Sequence, residues 1–124
     1  MKMKIKAEIA FAITLTLLLL VLCVDKFMDL KAQARQGLNE KGLIALNDAL
    51  SVYRGDNEGL CPKILEELEP FYIEKIPPLY DDKGEIIFAV KNSNTAEISD
   101  KTTAWVYIND EKSPDYCKVF INNR

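Results

Sequence analysis

One uncharged run near the start of the chain limits what this sequence can fold into. Residues 9–24 read IAFAITLTLLLLVLCV and contain no charged side chain. As an α-helix the run is about 24 Å long, at about 1.5 Å per residue. A bilayer core is about 30 Å thick and usually requires about 20 apolar residues. The run is therefore slightly short for a bilayer, yet longer than a small soluble core needs.

The charges that flank this run differ at its two ends. They are Lys2, Lys4 and Lys6 before the run, and Asp25, Lys26 and Asp29 after it. Because cytoplasmic ends of membrane spans carry an excess of Lys and Arg, this distribution predicts a cytoplasmic N-terminus. The remaining hundred residues would then lie on the other side of the membrane.

Three interpretations of the run compete. A cleaved secretory signal fits the lysines and the leucines, but residues 22–27 offer no small-x-small cleavage site. A lipoprotein signal would use Cys23, but the bulky Leu22 precedes it. The third interpretation is a retained anchor helix, which we favour because the helical pattern does not stop at the end of the run.

Apolar residues continue at helical spacing beyond the run. They step by threes and fours through Phe27, Leu30, Ala34, Leu38, Ala45 or Leu46, Ala49 or Leu50, and Tyr53. Gly37 and Gly42 each cost about 1 kcal/mol of helix propensity relative to alanine, which does not forbid a helix. The pattern predicts one helix to about Arg54, with Gly55 at the C′ position that follows the helix.

The second half of the chain predicts a small sheet. Three β-branched and aromatic runs are strand candidates, at residues 85–90, 104–109 and 118–121. Their connections are short enough for an antiparallel meander, and a three-stranded sheet would pack on the amphipathic half of the helix. The predicted class is therefore α+β. Its segments are an apolar helix (1–24) and a head (25–124), the head comprising a helix continuation (25–54), a loop (55–84) and a β-region (85–121).

Composition excludes several classes of function. Hydrophobic residues make up 48% of the chain, too many for a disordered protein. A formal net charge of −3 provides no broad basic surface, so we expect no nucleic-acid partner. The absence of histidine removes the commonest general base and zinc ligand. With no nucleophile elbow or phosphate loop either, we expect no enzymatic activity, no catalytic residue and no cofactor.

The three cysteines have different prospects. Cys61 follows the predicted helix and Cys117 lies at the last strand, so that a disulfide would close most of the head. Beyond the membrane lies a compartment that permits disulfides. The alternative is two free buried thiols. Cys23 lies in the apolar run and is expected to act as a small hydrophobic residue.

One acidic stretch is a weak candidate for a metal site. Asp81, Asp82 and Glu85 lie close together in the sequence around Lys83 and Gly84. Calcium binds such oxygen ligands, but the stretch lacks the alternating ligands of an EF-hand loop. A solvated turn is the simpler interpretation, and we expect no metal here.

Three features of the first eighty residues occur together in one known family. Glu8 is an acidic residue near the start of an apolar helix. Residues 45–62 read ALNDALSVYRGDNEGLCP, and residues 71–77 read FYIEKIP. In these features the chain resembles a type IV pilin-like protein, most of all the pseudopilins of type II secretion and minor pilins. Residues 45–62 are similar to the passage in which the family's helix meets its αβ loop, and residues 71–77 to a tyrosine–lysine–proline segment that follows.

The resemblance implies roles for two places near the N-terminus. In the family, the glutamate that corresponds to Glu8 pairs with the N-terminal amine of the adjacent subunit; an ordinary interfacial carboxylate beside Lys4 and Lys6 is the alternative. A processing site, where present, would lie between Met3 and Lys4. The sequence departs from the family there, because Met3 is not glycine and Lys4 is not apolar.

The resemblance also implies a function. We expect a structural subunit of a type IV pilus or a type II secretion pseudopilus, held in a bacterial inner membrane with its C-terminal domain in the periplasm, or carried on a cell-surface fibre. Its partners would be other copies or related subunits, inner-membrane lipid and assembly-platform proteins. The alternative is a single-pass anchored domain that binds or senses a ligand and does not polymerise.

Overall fold

The chain combines one long helix with two small sheets. A computed structural model describes residues 1–94 and 102–122, so part of the predicted β-region (residues 95–101) lies outside the described residues. The elements are α1 (Lys2–Asp56), a 3-10 helix (Leu65–Leu68), β1 (Leu79–Tyr80), β2 (Ile86–Ile87), β3 (Ala89–Ser93), β4 (Thr103–Ile108) and β5 (Val119–Ile121). The predicted α+β class is confirmed. The chain divides into two compact units, Met1–Ala34 and Arg35–Arg124. From here on, the head means the second of these units and no longer residues 25–124.

Helix α1 ends slightly later than predicted. Gly55 lies inside the helix, and the left-handed position that follows the helix is Glu58, with φ of 56°. The next amide, that of Gly59, donates to the carbonyl of Arg54 at 2.7 Å. This is the 6→1 hydrogen bond that satisfies a free carbonyl at a helix C-terminus. The placement of Gly55 at C′ was therefore wrong, although the helix ends within two residues of the predicted position.

The three-stranded sheet is mixed, and the prediction of an antiparallel meander was wrong. Its order is β3-β4-β5; β3 pairs with β4 in parallel and β4 pairs with β5 antiparallel. The prediction rested on short connections, which restrict strand direction only loosely. All six residues of β4 are buried, which is more than the half-buried strand that its pattern predicts. A strand that is central in its sheet and buried on both faces is compatible with a parallel neighbour.

The first predicted strand, residues 85–90, is divided between two sheets. Its first part, β2, pairs antiparallel with β1, with Leu79 opposite Ile87. Its last two residues belong to β3 instead, and Phe88 lies between the two strands with 59% of its surface exposed. The short β1 strand was not predicted, because two residues carry no detectable periodicity.

The main core of the head lies between α1 and β4. The helix contributes Leu46, Ala49 and Leu50, and the strand contributes Trp105 and Tyr107. Other members of this cluster are Leu65, Leu68, Ile76, Leu79, Ala104 and Val119. Val106 and Ile108, which alternate with the first set along β4, form a second cluster with Phe120. The amphipathic helix and the strand therefore meet as predicted, although Leu38 remains 48% exposed.

Gly42 allows Trp105 to approach the helix closely. A Cβ atom at Gly42 would lie 3.2 Å from two carbons of the Trp105 ring and 3.2 Å from Pro77 Cγ. The indole is fully buried, and its Nε1 donates to the carbonyl of Pro77 at 2.7 Å. The glycine that costs helix propensity thus provides the space that this indole occupies.

Side chains of the three-stranded sheet, and of Asn109 just after β4, make hydrogen bonds to the segment that follows α1. Tyr107 Oη donates to the carbonyl of Pro62 at 2.7 Å, and both residues are fully buried. Asn109 Nδ2 donates to the carbonyl of Lys63 at 3.0 Å. The amide of Leu65 donates to Asn92 Oδ1 at 3.2 Å. Burial raises the pKa of Tyr107 well above its ordinary value, with Tyr116 and Glu67 adding to the effect.

The two helix glycines form a matched pair for testing the Trp105 contact. Gly37→Ala adds a Cβ with no atom within 4 Å and should stabilise the head by about 0.5–1 kcal/mol through helix propensity. Gly42→Ala gains the same propensity but meets Trp105 and Pro77, and overpacking costs about 1–3 kcal/mol. We expect the Gly42 variant to be the less stable of the two by at least about 1 kcal/mol. Urea unfolding of the full chain in detergent, followed by the fluorescence of its one tryptophan, measures both.

Tyr107→Phe should alter stability differently at neutral and at alkaline pH. At pH 7 the variant loses the donor to a buried carbonyl, at a cost of about 1–2 kcal/mol. Because the folded pKa is raised, the stability that Tyr107 contributes is complete below its unfolded pKa of about 10 and declines as pH rises above it. The gap between wild type and variant should therefore narrow between pH 9 and pH 11. A gap that is constant across this range would contradict the burial of the hydroxyl. (The same tryptophan signal serves as the readout.)

Candidate assembly segment

The uncharged run 9–24, here the apolar segment, is helical and exposed along its whole length. Its large side chains are between 47% exposed, at Leu15, and 71% exposed, at Phe11. An 18-residue window in α1 has a mean hydropathy of 2.6 and 0% of it is buried. This helix is long and apolar enough to span a membrane. Thr14 and Thr16 donate their hydroxyls to carbonyls four residues earlier, at 2.9 and 2.8 Å, so these polar groups need no water.

The energetic cost of leaving the apolar segment in water is large. It contains eleven Leu, Ile, Val or Phe side chains. Burying one such side chain stabilises by about 1.5–3 kcal/mol, so the set represents on the order of 15–30 kcal/mol. That exceeds the roughly 5–15 kcal/mol that stabilises a whole domain. The segment therefore requires cover from lipid or from other protein.

Glu8 lies on the exposed surface of α1, immediately before the apolar segment. Lys4 precedes it by one helical turn. Among residues 1–94 and 102–122, however, the ion pair that forms is between Lys118 and Asp115, and it does not involve Glu8. The bond between Met3 and Lys4, the predicted processing position, lies in the first turn of α1 and is also exposed.

The two predicted disulfide partners are bonded in the structure. Cys61 and Cys117 have an S–S distance of 2.08 Å and a Cα–Cα distance of 5.9 Å. The bridge joins the loop after α1 to the segment just before β5. Cys61 and Cys117 are 56 residues apart in the sequence. A disulfide that closes a loop of this length stabilises a fold by about 4 kcal/mol in the chain-entropy model. Cys23 is free and exposed within the apolar segment.

The weak metal candidates lie in one turn, and the carboxylate of Asp81 already accepts hydrogen bonds within that turn. Asp81 Oδ1 accepts hydrogen bonds from the amides of Lys83 and Glu85, at 2.9 and 2.7 Å. Asp82 and Glu85 point to solvent. In the part of the chain that the structure describes, no group of three or more His, Cys, Asp or Glu side chains is placed to hold a metal ion. Asp81 closes the β1–β2 hairpin.

One residue that positions this hairpin was missed by the sequence analysis. Asn39 on α1 is half-buried, and its Nδ2 donates to the carbonyl of Tyr80 at 2.8 Å. In return, the amide of Tyr80 donates to Asn39 Oδ1, also at 2.8 Å. The side chain thus bonds the free edge of β1 as a neighbouring strand would. An asparagine within an amphipathic helix gives no sequence signal that distinguishes this role from ordinary exposure.

Comparison with known proteins identifies no relative. No protein-family model, curated protein or solved structure matches the chain.

Thiol counting tests the cysteine assignment directly. The chain has three cysteines, of which Cys61 and Cys117 are bonded and Cys23 is free. We expect the denatured, unreduced chain to take up one equivalent of a maleimide reagent, and three after reduction. Cys23→Ser should take up none before reduction. Uptake of three equivalents without reductant would contradict the disulfide, and intact mass spectrometry distinguishes these outcomes.

Proposed function

We propose that this protein is a pilin-like structural subunit, stored in a membrane and polymerised through its apolar segment. The observation that carries the proposal is the exposure of that segment on a helix that continues, without a break, to Asp56 in the head. A small folded head with an uncovered apolar helix is the arrangement that the resemblance implies. Lipid covers the segment before assembly, and neighbouring copies cover it afterwards.

The exposure of the apolar segment on all sides of the helix favours polymerisation. An apolar helix that is exposed on all sides presents different faces to different neighbours. Heterologous contacts of this kind generate filaments wherever the rotation from one copy to the next does not close into a ring. Each copy added to a filament packs its segment against several others, and the same packing contacts are repeated at every step.

Glu8 has a specific role in this proposal. Once the segment is surrounded by lipid or protein, a carboxylate at its end is costly unless it is paired. Among residues 1–94 and 102–122 Glu8 makes no ion pair, so in this proposal its partner is a group of another molecule. The resemblance suggests the terminal amine of an adjacent subunit, which would fix the axial position of one copy against the next.

The proposed location follows from charge and from the disulfide. The lysines at positions 2, 4 and 6 favour a cytoplasmic N-terminus, and the Cys61–Cys117 bridge suits an oxidising compartment such as the periplasm. We propose a bacterial inner membrane, with assembly-platform proteins and related subunits as partners. The resulting fibre would be a type IV pilus or a type II secretion pseudopilus.

A second candidate is an anchored binding or sensing domain that never polymerises. The observation in its favour is the sequence around the processing position, where Met3 and Lys4 replace the glycine and the apolar residue of the family. Both candidates place the apolar segment in a membrane. They differ in whether copies contact each other through it.

Crosslinking through the apolar segment separates the two candidates. Cys23 is the free thiol there, and a single thiol joins at most two copies. Leu18→Cys adds a second thiol, about 140° around the helix at about 100° per residue. In cell membranes, oxidation of the Leu18→Cys chain should produce a ladder beyond the dimer. The same chain with Cys23→Ser should stop at the dimer. Monomer alone under both conditions would contradict polymerisation.

Substitution of Glu8 tests its role in assembly. We expect Glu8→Ala and Glu8→Gln each to reduce the crosslinked ladder by about tenfold, which corresponds to about 1.4 kcal/mol per contact. Loss in the isosteric Gln variant assigns the effect to charge. The matched control is Glu40→Gln, an exposed glutamate on the same helix within the head, which should leave the ladder unchanged. A normal ladder from both Glu8 variants would refute the pairing, and tryptophan fluorescence verifies that each head is folded.

A further inference from the structure

The two ends of the apolar segment carry different charge. Before it, Lys2, Lys4 and Lys6, here called the lysine collar, are all exposed, and the one acidic residue beside them is Glu8. After it, acidic and basic residues alternate and balance; they are Asp25, Lys26, Asp29 and Lys31. Lys31 also has its Nζ 4.7 Å from the centre of the Phe27 ring. Uncompensated positive charge is therefore confined to the N-terminal end.

The helix divides the lysine collar into two sides. At about 100° per residue, Lys2 and Lys6 lie within about 40° of each other, and Lys4 lies on the opposite side. Glu8 follows Lys4 by one turn, so its charge offsets the Lys4 side of the helix. Lys2 and Lys6 have no acidic neighbour one turn away. They form the side of the collar with the stronger positive charge.

The length of the apolar segment places the collar at the lipid headgroups. The segment is about 24 Å long, against about 30 Å for a bilayer core. The shortfall is made up by the aliphatic stems of flanking lysines, whose ammonium groups extend to the interface. Lys6 lies three residues before Ile9, or about 4.5 Å along the axis. The ammonium group of Lys6 therefore reaches the lipid phosphate groups while the backbone of Lys6 stays helical.

We propose that the lysine collar binds the phosphate groups of anionic phospholipids, chiefly through Lys2 and Lys6. The negative headgroup supplies the countercharge that the chain itself does not provide at this end. The collar selects anionic over neutral lipid in one leaflet, and the balanced far end of the segment selects neither. The proposal rests on the membrane-inserted state of the proposed function, in the chain that still carries residues 1–3, and does not require polymerisation.

Lipid selectivity of the reconstituted full chain tests this proposal. The protein is placed in phosphatidylcholine vesicles that contain traces of spin-labelled phosphatidylglycerol or spin-labelled phosphatidylcholine. Electron paramagnetic resonance then measures the association of each lipid with the protein. Because a lysine near an anionic surface contributes roughly fivefold at low salt, we expect Lys2→Gln/Lys6→Gln to reduce the preference for phosphatidylglycerol by at least about fivefold. High salt should reduce the wild-type preference as well.

A variant at the far end provides the matched control. Lys26→Gln/Lys31→Gln removes the same charge after the apolar segment and should leave the preference within about twofold of wild type. Equal association of both lipids with the wild-type chain, or an equal loss in the two double variants, would overturn the proposal. A chain that does not float with the vesicles would overturn both this proposal and the membrane placement. Selectivity without any crosslinked ladder would support the collar and contradict the filament.

Discussion

The hydration of the apolar segment is the constraint on which the rest of this protein depends. Sixteen consecutive uncharged residues, most of them large, lie exposed on α1. The free energy at stake, on the order of 15–30 kcal/mol, is greater than the stability of a typical domain. No rearrangement of a small head offsets a cost of that size. The segment therefore requires cover from lipid or from other protein.

The apolar residues of the head form a core of their own. Trp105 packs against Gly42, and Leu46 and Leu50 complete the contact between helix and strand. The disulfide and the bonds made by Tyr107, Asn109 and Asn92 then hold the segment after α1 on the sheet, in place of additional apolar packing.

The sequence predicted those features that depend on local chemistry. Charge-free composition predicted the apolar segment, helical spacing predicted α1 nearly to its end, and the position of two cysteines predicted their bond. Of the aromatic residues on the strand candidates, Trp105 and Tyr107 lie in the core, whereas Phe88 remains 59% exposed.

The failures concern relations between distant residues. The parallel pairing of β3 with β4 depends on which edges meet in three dimensions, and neither strand's pattern encodes it. The same holds for Asn39, whose amide bonds the edge of β1 forty-one residues away.

Retention of the apolar segment is the most direct test of this account. The chain is isolated from cell membranes after an alkaline wash, and its intact mass is measured. We predict that the chain stays with the membranes and that its mass includes residues 9–24, with or without loss of the first few residues. A chain found in the aqueous fraction, with a mass that lacks those residues, would contradict the account.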